Sequence, residues 1–142
     1  MLSLINKIME KIKLKIVVTK NGDEGFICSS DYPFEHFDLG GSGDTVEEAK
    51  RDCLTFYDEM KEEYPNEVFP ELNIEWVYDL PSFFNNFDFL NATRVAQYAG
   101  ISPSNFRHYV AGSKPVSEKQ LIRIKNAFNR MAKELQDSVI AI

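Results

Sequence analysis

The sequence contains few residues that bind metals or form disulfides. It has 2 cysteines and 2 histidines among 142 residues, and Cys28 and Cys53 lie far apart along the chain. No second cysteine pair and no histidine stands at the spacing of a zinc site. We therefore expect no metal, and we interpret both cysteines as reduced thiols in the core of a cytoplasmic protein.

The sequence also lacks a long apolar segment. A transmembrane helix needs roughly 20 consecutive apolar residues, and no stretch of the chain approaches that length. The start of the chain mixes lysines and Glu10 into its apolar positions, which is not the pattern of a signal peptide. We expect no membrane contact, and we interpret the helical spacing of Leu4, Ile5, Ile8 and Ile12 as an amphipathic helix that packs on a core.

Motifs of common enzyme classes are absent as well. No P-loop, dinucleotide-binding fingerprint or HExxH motif occurs, so no cofactor is expected. Neither cysteine lies in a nucleophile motif, and we interpret His36 as a surface or half-buried strand residue. A two-metal nuclease needs several converging carboxylates, and four aspartates qualify by residue type alone, so we expect no enzymatic activity. These four are Asp23, Asp31, Asp44 and Asp52.

Charge is distributed unevenly along the chain. The net charge is −6, yet residues 1–88 hold 8 Lys/Arg against 19 Asp/Glu, net −11, whereas residues 89–142 hold 8 against 3, net +5. A basic module can bind phosphate backbones, and an acidic module can bind a basic partner. The charge pattern therefore favours two domains with different partners.

The pattern of residues 1–80 predicts the order strand, strand, strand, helix, strand. Residues 13–20 and 24–30 form extended apolar patterns on either side of the turn residues NGD, which is typical of a β-hairpin. We expect a third short strand from Phe34 to Leu39, a glycine-rich turn at GGSGD, and a last strand in NIEWVY. The elements together predict an α+β sandwich.

The helix of this domain has a clear start. Thr45 can cap it, and Glu48 stands three residues later, as in a capping box. We expect the helix to end near Tyr64 and Pro65. Its apolar positions recur every three or four residues and predict a buried face made of Val46, Ala49, Cys53, Phe56 and Met60.

Residues 81–88 are interpreted as a linker. They combine a proline with three phenylalanines and two asparagines. We expect the aromatic side chains to dock on one of the domains, because a solvated linker rarely carries so many. The linker separates a first domain, residues 1–80, from a second, residues 89–142.

Residues 91–112 predict two short helices joined by a turn. Small residues recur at helical spacing along the first helix, Gly100 allows the left-handed conformation that ends it, and Ile101 fills the turn. Ser102 caps the second helix, and Pro103 occupies its first position, where no amide bond is lost. The small-residue face of the first helix consists of Ala92, Val95, Ala96 and Ala99.

A third helix closes the core of this domain. Ser117 with Gln120 forms another capping box at its start. We expect its long apolar seam to pack on the first two helices and to pair with a second subunit. The seam consists of Leu121, Ile124, Phe128, Met131 and Leu135.

The second helix carries the function of this domain. Phe106, Tyr109 and Val110 point inward at helical spacing, so the polar residues between them face outward. A short helix with polar residues near its N-terminus can enter the major groove and meet base edges. The loop from Gly112 can offer backbone amides and the Lys114 ammonium to phosphate. The expected DNA-binding residues are Thr93, Arg94, Ser102, Ser104, Asn105, Arg107, His108, Ser113 and Lys114.

The same segment resembles the XRE-type repressor domains. The residues that carry the resemblance are an alanine face from Ala96 to Ala99, the turn Gly100-Ile101-Ser102, and a loop from Gly112 through Ser117. The resemblance implies an all-α helix-turn-helix domain that binds double-stranded DNA.

The first domain is similar to the HicB antitoxins of bacterial and archaeal toxin–antitoxin pairs. The similarity lies in GDTVEEA at residues 43–49, in Gly25-Phe26-Ile27, and in Asp31-Tyr32-Pro33. It implies a partly degenerate ribonuclease H-like βββαβ domain, a small basic HicA-like ribonuclease toxin as partner, and repression of the shared operon. The acidic residues expected to contact the toxin are Asp31, Glu47, Asp58, Glu59 and Glu62.

Three hypotheses follow for the function. The first is an antitoxin that neutralises the toxin and represses its own operon. The second is a stand-alone transcriptional regulator whose N-terminal domain senses a ligand or dimerises, and the third is an active nuclease. Because operators have two-fold symmetry, we expect a homodimer or a higher even oligomer. A small basic reading frame beside the gene favours the first hypothesis.

Overall fold

The computed structural model describes residues 13–69 and 73–142. The chain divides between Asn86 and Phe87 into two compact units. The described residues combine a four-stranded mixed sheet with five helices, which confirms the α+β fold class. The expected amphipathic helix around Leu4 to Ile12 lies outside the described residues.

The predicted hairpin is confirmed at the start of the first unit. Strand β1 (Leu14–Lys20) pairs antiparallel with β2 (Phe26–Ser29). The turn between them contains two glycines with positive φ, Gly22 at 54° and Gly25 at 93°. Left-handed backbone of this kind favours glycine, because glycine has no Cβ that would clash with the following peptide.

The third strand lies later in the chain than predicted. Strand β3 is Gly40–Gly43, the segment interpreted as a turn, and it pairs with β2. Residues 34–39 contain no strand; Phe34 and Phe37 instead stack at 4.5 Å between ring centroids and pack against the core from a loop. The prediction was wrong because it assigned a strand to the apolar residues, whereas the strand consists of residues without apolar side chains.

The glycines of β3 allow a very close approach of the next helix. Helix α1 (Val46–Glu63) passes so near that a Cβ on Gly41 would lie 2.4 Å from the backbone nitrogen of Cys53. A Cβ on Gly43 would lie 2.6 Å from the nitrogen of Ala49. Real atoms do not approach so closely, so this strand needs glycine to pack on the helix.

Helix α1 begins as predicted. The side chain of Thr45 accepts a hydrogen bond from Glu48 N at 3.1 Å. The Glu48 carboxylate accepts from Asp44 N at 3.0 Å, one residue before the position that a capping box uses. Val46, Ala49 and Cys53 are buried as expected, Phe56 and Met60 are half-buried, and Tyr57 is buried although the spacing did not include it.

Strand β4 (Ile74–Tyr78) completes the sheet in the order β3-β2-β1-β4. It runs parallel to β1, with Ile16 opposite Trp76. A parallel pair needs a crossover connection, and helix α1 lies between β3 and β4 in the chain. The buried face of β1, which includes Ile16 and Val18, packs with α1 in one core.

The expected linker at 81–88 is largely helical. Helix α2 (Leu80–Asn86) belongs to the first unit, and the Asp79 carboxylate accepts from Ser82 N at 2.8 Å at its start. The Asn85 side chain accepts from Val46 N at 2.9 Å, and Phe84 is buried. Residues 80–86 are therefore part of the first unit, where Asn85 satisfies the otherwise unpaired first amide of α1.

The second unit contains three helices, α3 (Ala92–Ala99), α4 (Pro103–Ala111) and α5 (Glu118–Gln136). Of the seam predicted on α5, Ile124 is buried, whereas Leu121 and Leu135 are 38% and 77% exposed. The middle of the helix therefore closes the core of this unit, and its two ends leave apolar side chains at the surface. The buried residues contributed by α3 and α4 are Val95, Ala96, Ala99, Phe106 and Tyr109.

Candidate nucleic-acid interface

The turn between α3 and α4 has the local geometry that the sequence predicted. Gly100 is left-handed, with φ 70°, and its amide donates to Gln97 O, while Ile101 N donates to Ala96 O at 3.0 Å. This is a Schellman motif, which ends a helix by satisfying its last carbonyls. Ile101 is buried and fills the turn, as expected. The hydrogen-bonded turn and the buried Ile101 therefore join the end of α3 closely to the start of α4.

The start of α4 is capped as predicted. Ser102 has extended backbone, and its hydroxyl accepts from Asn105 N at 3.2 Å. Pro103 follows at the first helical position. Because the N-terminus of a helix carries a partial positive charge and free amides, this end suits a negatively charged partner.

The two faces of α4 differ in character. Phe106 is fully buried and Tyr109 nearly so, whereas Ser104, Arg107 and His108 are exposed. The polar side chains therefore share the outer face of a helix whose inner face is fixed by aromatic packing. Such a face presents hydrogen-bond donors to a surface placed against it.

The loop after α4 folds back along the helix. Gly112 is left-handed, with φ 79°, and Ser113 N donates to His108 O at 3.0 Å, which makes a second Schellman motif. The Ser113 hydroxyl lies 3.0 Å from His108 Nδ1. These contacts bring Ser113 and Lys114 next to α4 rather than leaving them in a free loop.

Lys114 and Asn105 are in direct contact. The Lys114 Nζ donates to Asn105 Oδ1 at 3.2 Å, and it lies 5.9 Å from the centroid of the Tyr109 ring. Asn105 is half-buried, in contrast to the exposed position that the sequence predicted. No sequence signal marks this pair, because the contact depends on the turn at Gly112.

The two candidate residues of α3 lie at its exposed start. Thr93 and Arg94 are both exposed, and Arg94 N donates to the side chain of Asn91 at 3.1 Å, so Asn91 caps this helix. The Arg94 guanidinium donates to Gln97 Oε1 at 3.0 Å. The structure therefore places both residues on the surface of the second unit, with Arg94 held along its own helix.

A further basic surface on α5 escaped the sequence analysis. Arg123 and Arg130 line an open depression of about 510 Å³ together with Ala99. An arginine nitrogen of Arg130 also donates to Tyr98 O and ties α5 to the end of α3. The signal was the seven-residue interval between the two arginines, which places them on one face of a helix.

The acidic candidate residues of the first unit are all at the surface. Asp31 lies in the loop after β2, and the other candidates lie on α1, where Glu47 pairs with Arg51 at 2.8 Å. An open depression of about 300 Å³ brings Asp38 and Asp52 next to one of them, Glu59. The exposed candidates are Asp31, Glu47, Asp58, Glu59 and Glu62.

Two polar residues of the first unit have local partners in the structure. Asp52 accepts from Ser42 N at 2.9 Å and so joins α1 to β3. His36 lies in a loop rather than in a strand, with its Nδ1 3.3 Å from Glu67 Oε2. Within residues 13–69 and 73–142, no group of three or more histidine, cysteine or acidic side chains is placed to hold a metal ion.

Both cysteines are free and fully buried. Burial raises the pKa of Cys28 to about 11 and that of Cys53 to about 12. Loss of hydration penalises the thiolate, so both side chains are neutral thiols at physiological pH.

No helix in the described part of the chain is long and apolar enough to cross a membrane. No family model, curated protein or solved structure matches this chain.

Proposed function

We propose that the second unit is a helix-turn-helix domain that binds double-stranded DNA, with α4 in the major groove. The observation that carries the proposal is the exposed row of Ser104, Arg107 and His108 on a short helix whose inner face is buried. The Schellman turn at Gly100 and the cap at Ser102 support it, because they fix this helix against α3. Only a rigidly held helix can present side chains to base edges in a constant register.

The charge of the second unit agrees with this proposal. Residues 87–142 hold 8 Lys/Arg against 4 Asp/Glu, net +4, and phosphate neutralisation supplies a large share of the affinity of a protein for DNA. Thr93 and Arg94 at the start of α3 and Ser113 after α4 are exposed and can contact phosphates on either side of the groove. Contacts between basic side chains and phosphates weaken as the salt concentration rises, so the DNA affinity should fall with added salt.

The test is a titration of the full chain with DNA from upstream of its own gene. We expect fluorescence anisotropy to detect binding in the presence of excess random duplex, with an affinity that falls linearly with salt on logarithmic axes. Equal affinity for the upstream and the random duplex would contradict a specific repressor. No binding to either duplex would contradict the whole proposal.

We further propose that the first unit is a partly degenerate ribonuclease H-like domain of the HicB type that neutralises a small basic HicA-like ribonuclease toxin. Three observations support this role: the order β3-β2-β1-β4 with β1 and β4 parallel, the net charge of −10 over residues 1–86, which hold 8 Lys/Arg against 18 Asp/Glu, and the exposed acidic side chains on α1. A ribonuclease must be basic to hold RNA, so an acidic cover can be steered onto its surface. The chain is proposed to act as a binding protein and not as an enzyme.

The antitoxin role requires a small basic protein encoded beside the gene, and co-expression with that protein tests it. We expect the two proteins to co-purify, growth to recover, and the association rate to fall with added salt. Continued toxicity in the presence of folded protein that does not co-purify would instead favour a stand-alone regulator whose first unit senses a ligand or dimerises.

A homodimer, or a higher even oligomer, is proposed for the DNA-bound form. Operators that helix-turn-helix proteins read are two-fold symmetric, and each half-site takes one copy of the domain. The apolar side chains of Leu121, Ile122 and Leu135 on α5 are exposed and offer surface for self-association. Sedimentation velocity of the free protein and of its complex with DNA measures the number of chains.

A further inference from the structure

The contact between Lys114 and Asn105 bears on which base α4 reads, and the inference rests on the proposed DNA binding. Lys114 is bonded to Asn105 Oδ1 at 3.2 Å. Asn105 is the third residue of α4, in the turn of a recognition helix that comes nearest to the bases. The pair therefore stands where the groove would lie.

The chemistry of the two groups fixes the orientation of the asparagine amide. A lysine ammonium has three donors and no acceptor. Only the carbonyl oxygen of the Asn105 side chain can therefore face it. The Nδ2 group, with its two donors, is directed away from Lys114.

The lysine is held in place by its surroundings. The left-handed Gly112 and the bond from Ser113 N to His108 O turn the chain back toward α4. The ammonium then lies near Tyr109, 5.9 Å from the centroid of its ring, one helical turn after Asn105. A cation near an aromatic ring is stabilised by the ring electrons.

We propose that Lys114 is a positioning residue that makes Asn105 read guanine rather than adenine. An asparagine reads adenine by accepting from N6 with Oδ1 and donating to N7 with Nδ2. The Lys114 ammonium takes one of the two lone pairs of Oδ1 and places a positive charge beside the other, which disfavours the approach of an N6 donor. The pair therefore presents mainly donors, from Nδ2 and from the ammonium. Guanine offers two acceptors in the major groove, N7 and O6. Its edge can therefore accept a hydrogen bond from each of the two donor groups of the pair.

The experiment selects duplexes from a random-sequence library with the full chain and with four single variants, and it measures affinities for the selected duplex by anisotropy, with the double variant Asn105→Ala/Lys114→Met included. Lys114→Met removes the charge and keeps the length of the side chain, and Lys114→Arg restores a side chain with donors only. Asn105→Ala identifies the base position that Asn105 reads. Lys125→Met removes one charge from an exposed lysine of α5 and is the matched control.

Asn105→Ala should lose the base preference at one position of the selected duplex. At that position, we expect the wild-type chain to prefer guanine over adenine by about tenfold. Lys114→Met should shift that position toward adenine, Lys114→Arg should keep guanine, and Lys125→Met should weaken binding without changing the base. The double variant Asn105→Ala/Lys114→Met should lose less affinity than the product of the two single losses, by about threefold or more, because the two residues are in contact.

The proposal is overturned if Lys114→Met keeps the wild-type base preference and the double variant loses as much affinity as the product of the two single losses. It is also overturned if wild type prefers adenine at this position, or if Asn105→Ala changes the base preference nowhere. Failure of the wild-type chain to enrich any duplex would instead overturn the DNA-binding function itself. Melting temperatures of all variants within a few degrees of wild type establish that the changes are local.

Discussion

Arg107 is the exposed residue of α4 best suited to a base contact, because its guanidinium presents a planar fork of donors. We expect Arg107→Ala to lower the affinity for the upstream duplex by about tenfold or more, since a good base contact contributes roughly 1–3 kcal/mol. Arg51→Ala is the control, because Arg51 lies on α1 in an ion pair with Glu47. Anisotropy titrations measure the DNA affinity of both variants. An equal loss of affinity in both would contradict the placement of α4 in the groove.

Cys53 gives the first unit a specific response to alkaline pH. Burial raises its pKa from 9.0 to about 12, so the folded chain holds this proton more tightly than the unfolded chain. The resulting stabilisation is complete below pH 9 and declines between pH 9 and 12. Urea unfolding at several pH values measures how the free energy of unfolding changes with pH. Between pH 9 and 12, we expect this free energy to fall less steeply with pH in Cys53→Ala than in the wild type, by up to about 1.4 kcal/mol per pH unit.

The absolute stability of Cys53→Ala is not the relevant comparison, because the variant also leaves a small cavity. The informative quantity is the difference between the two proteins as a function of pH. A constant difference from pH 7 to pH 11 would show that the thiol does not control the alkaline response.

At the scale of elements, the contact between β3 and α1 depends on glycine. A Cβ on Gly41 would lie 2.4 Å from Cys53 N and 2.9 Å from Ala49 O, and both atoms belong to the backbone of α1. We expect Gly41→Ala to lower the free energy of unfolding by about 1–3 kcal/mol, because the helix must move away from the strand. Ser42→Ala, at an exposed position of the same strand, should change it by less than about 0.5 kcal/mol. Chemical denaturation compares the two.

Helix α2 is expected to be required for the stability of the first unit. A fragment that ends at Asn86 keeps the bond from Val46 N to Asn85 and the burial of Phe84. A fragment that ends at Asp79 loses both, which together contribute roughly 2–4 kcal/mol. We expect thermal denaturation to show a clearly lower melting temperature for the shorter fragment. Equal melting temperatures would instead support the interpretation of residues 81–88 as a linker.

The elements that the sequence predicted correctly are those with local causes. The turn with Gly22, the caps at Thr45 and Ser102, and the helix end at Gly100 depend on residues close together in the chain. Strand β3 could not be predicted in this way, because its glycines are explained only by a helix that packs on them.

The same reasoning applies to the candidate site. The exposure of Ser104, Arg107 and His108 follows from the helical spacing of the aromatic residues between them. The contact of Lys114 with Asn105 does not, since it needs the left-handed turn at Gly112 to bring the loop back. Periodicity therefore predicts which residues face outward, and the tertiary structure determines which of them act together.

At the scale of the whole molecule, the two units carry opposite charge. Residues 1–86 hold 8 Lys/Arg against 18 Asp/Glu, net −10, and residues 87–142 hold 8 against 4, net +4. The acidic part repels a DNA duplex, so DNA contacts should be confined to the second unit, and a basic protein is the complementary partner for the first. Under the proposed function, each unit therefore has a partner of charge opposite to its own.

Amide hydrogen exchange of the full chain, with and without the upstream duplex, tests the central claim most directly. We expect DNA to slow exchange in residues 100–107 and 112–114, where the turn, the start of α4 and the loop would meet the groove and the phosphates. Exchange in β1 to β4 should not change. Protection confined to the strands of the first unit, with α4 unaffected, would contradict DNA binding through this helix.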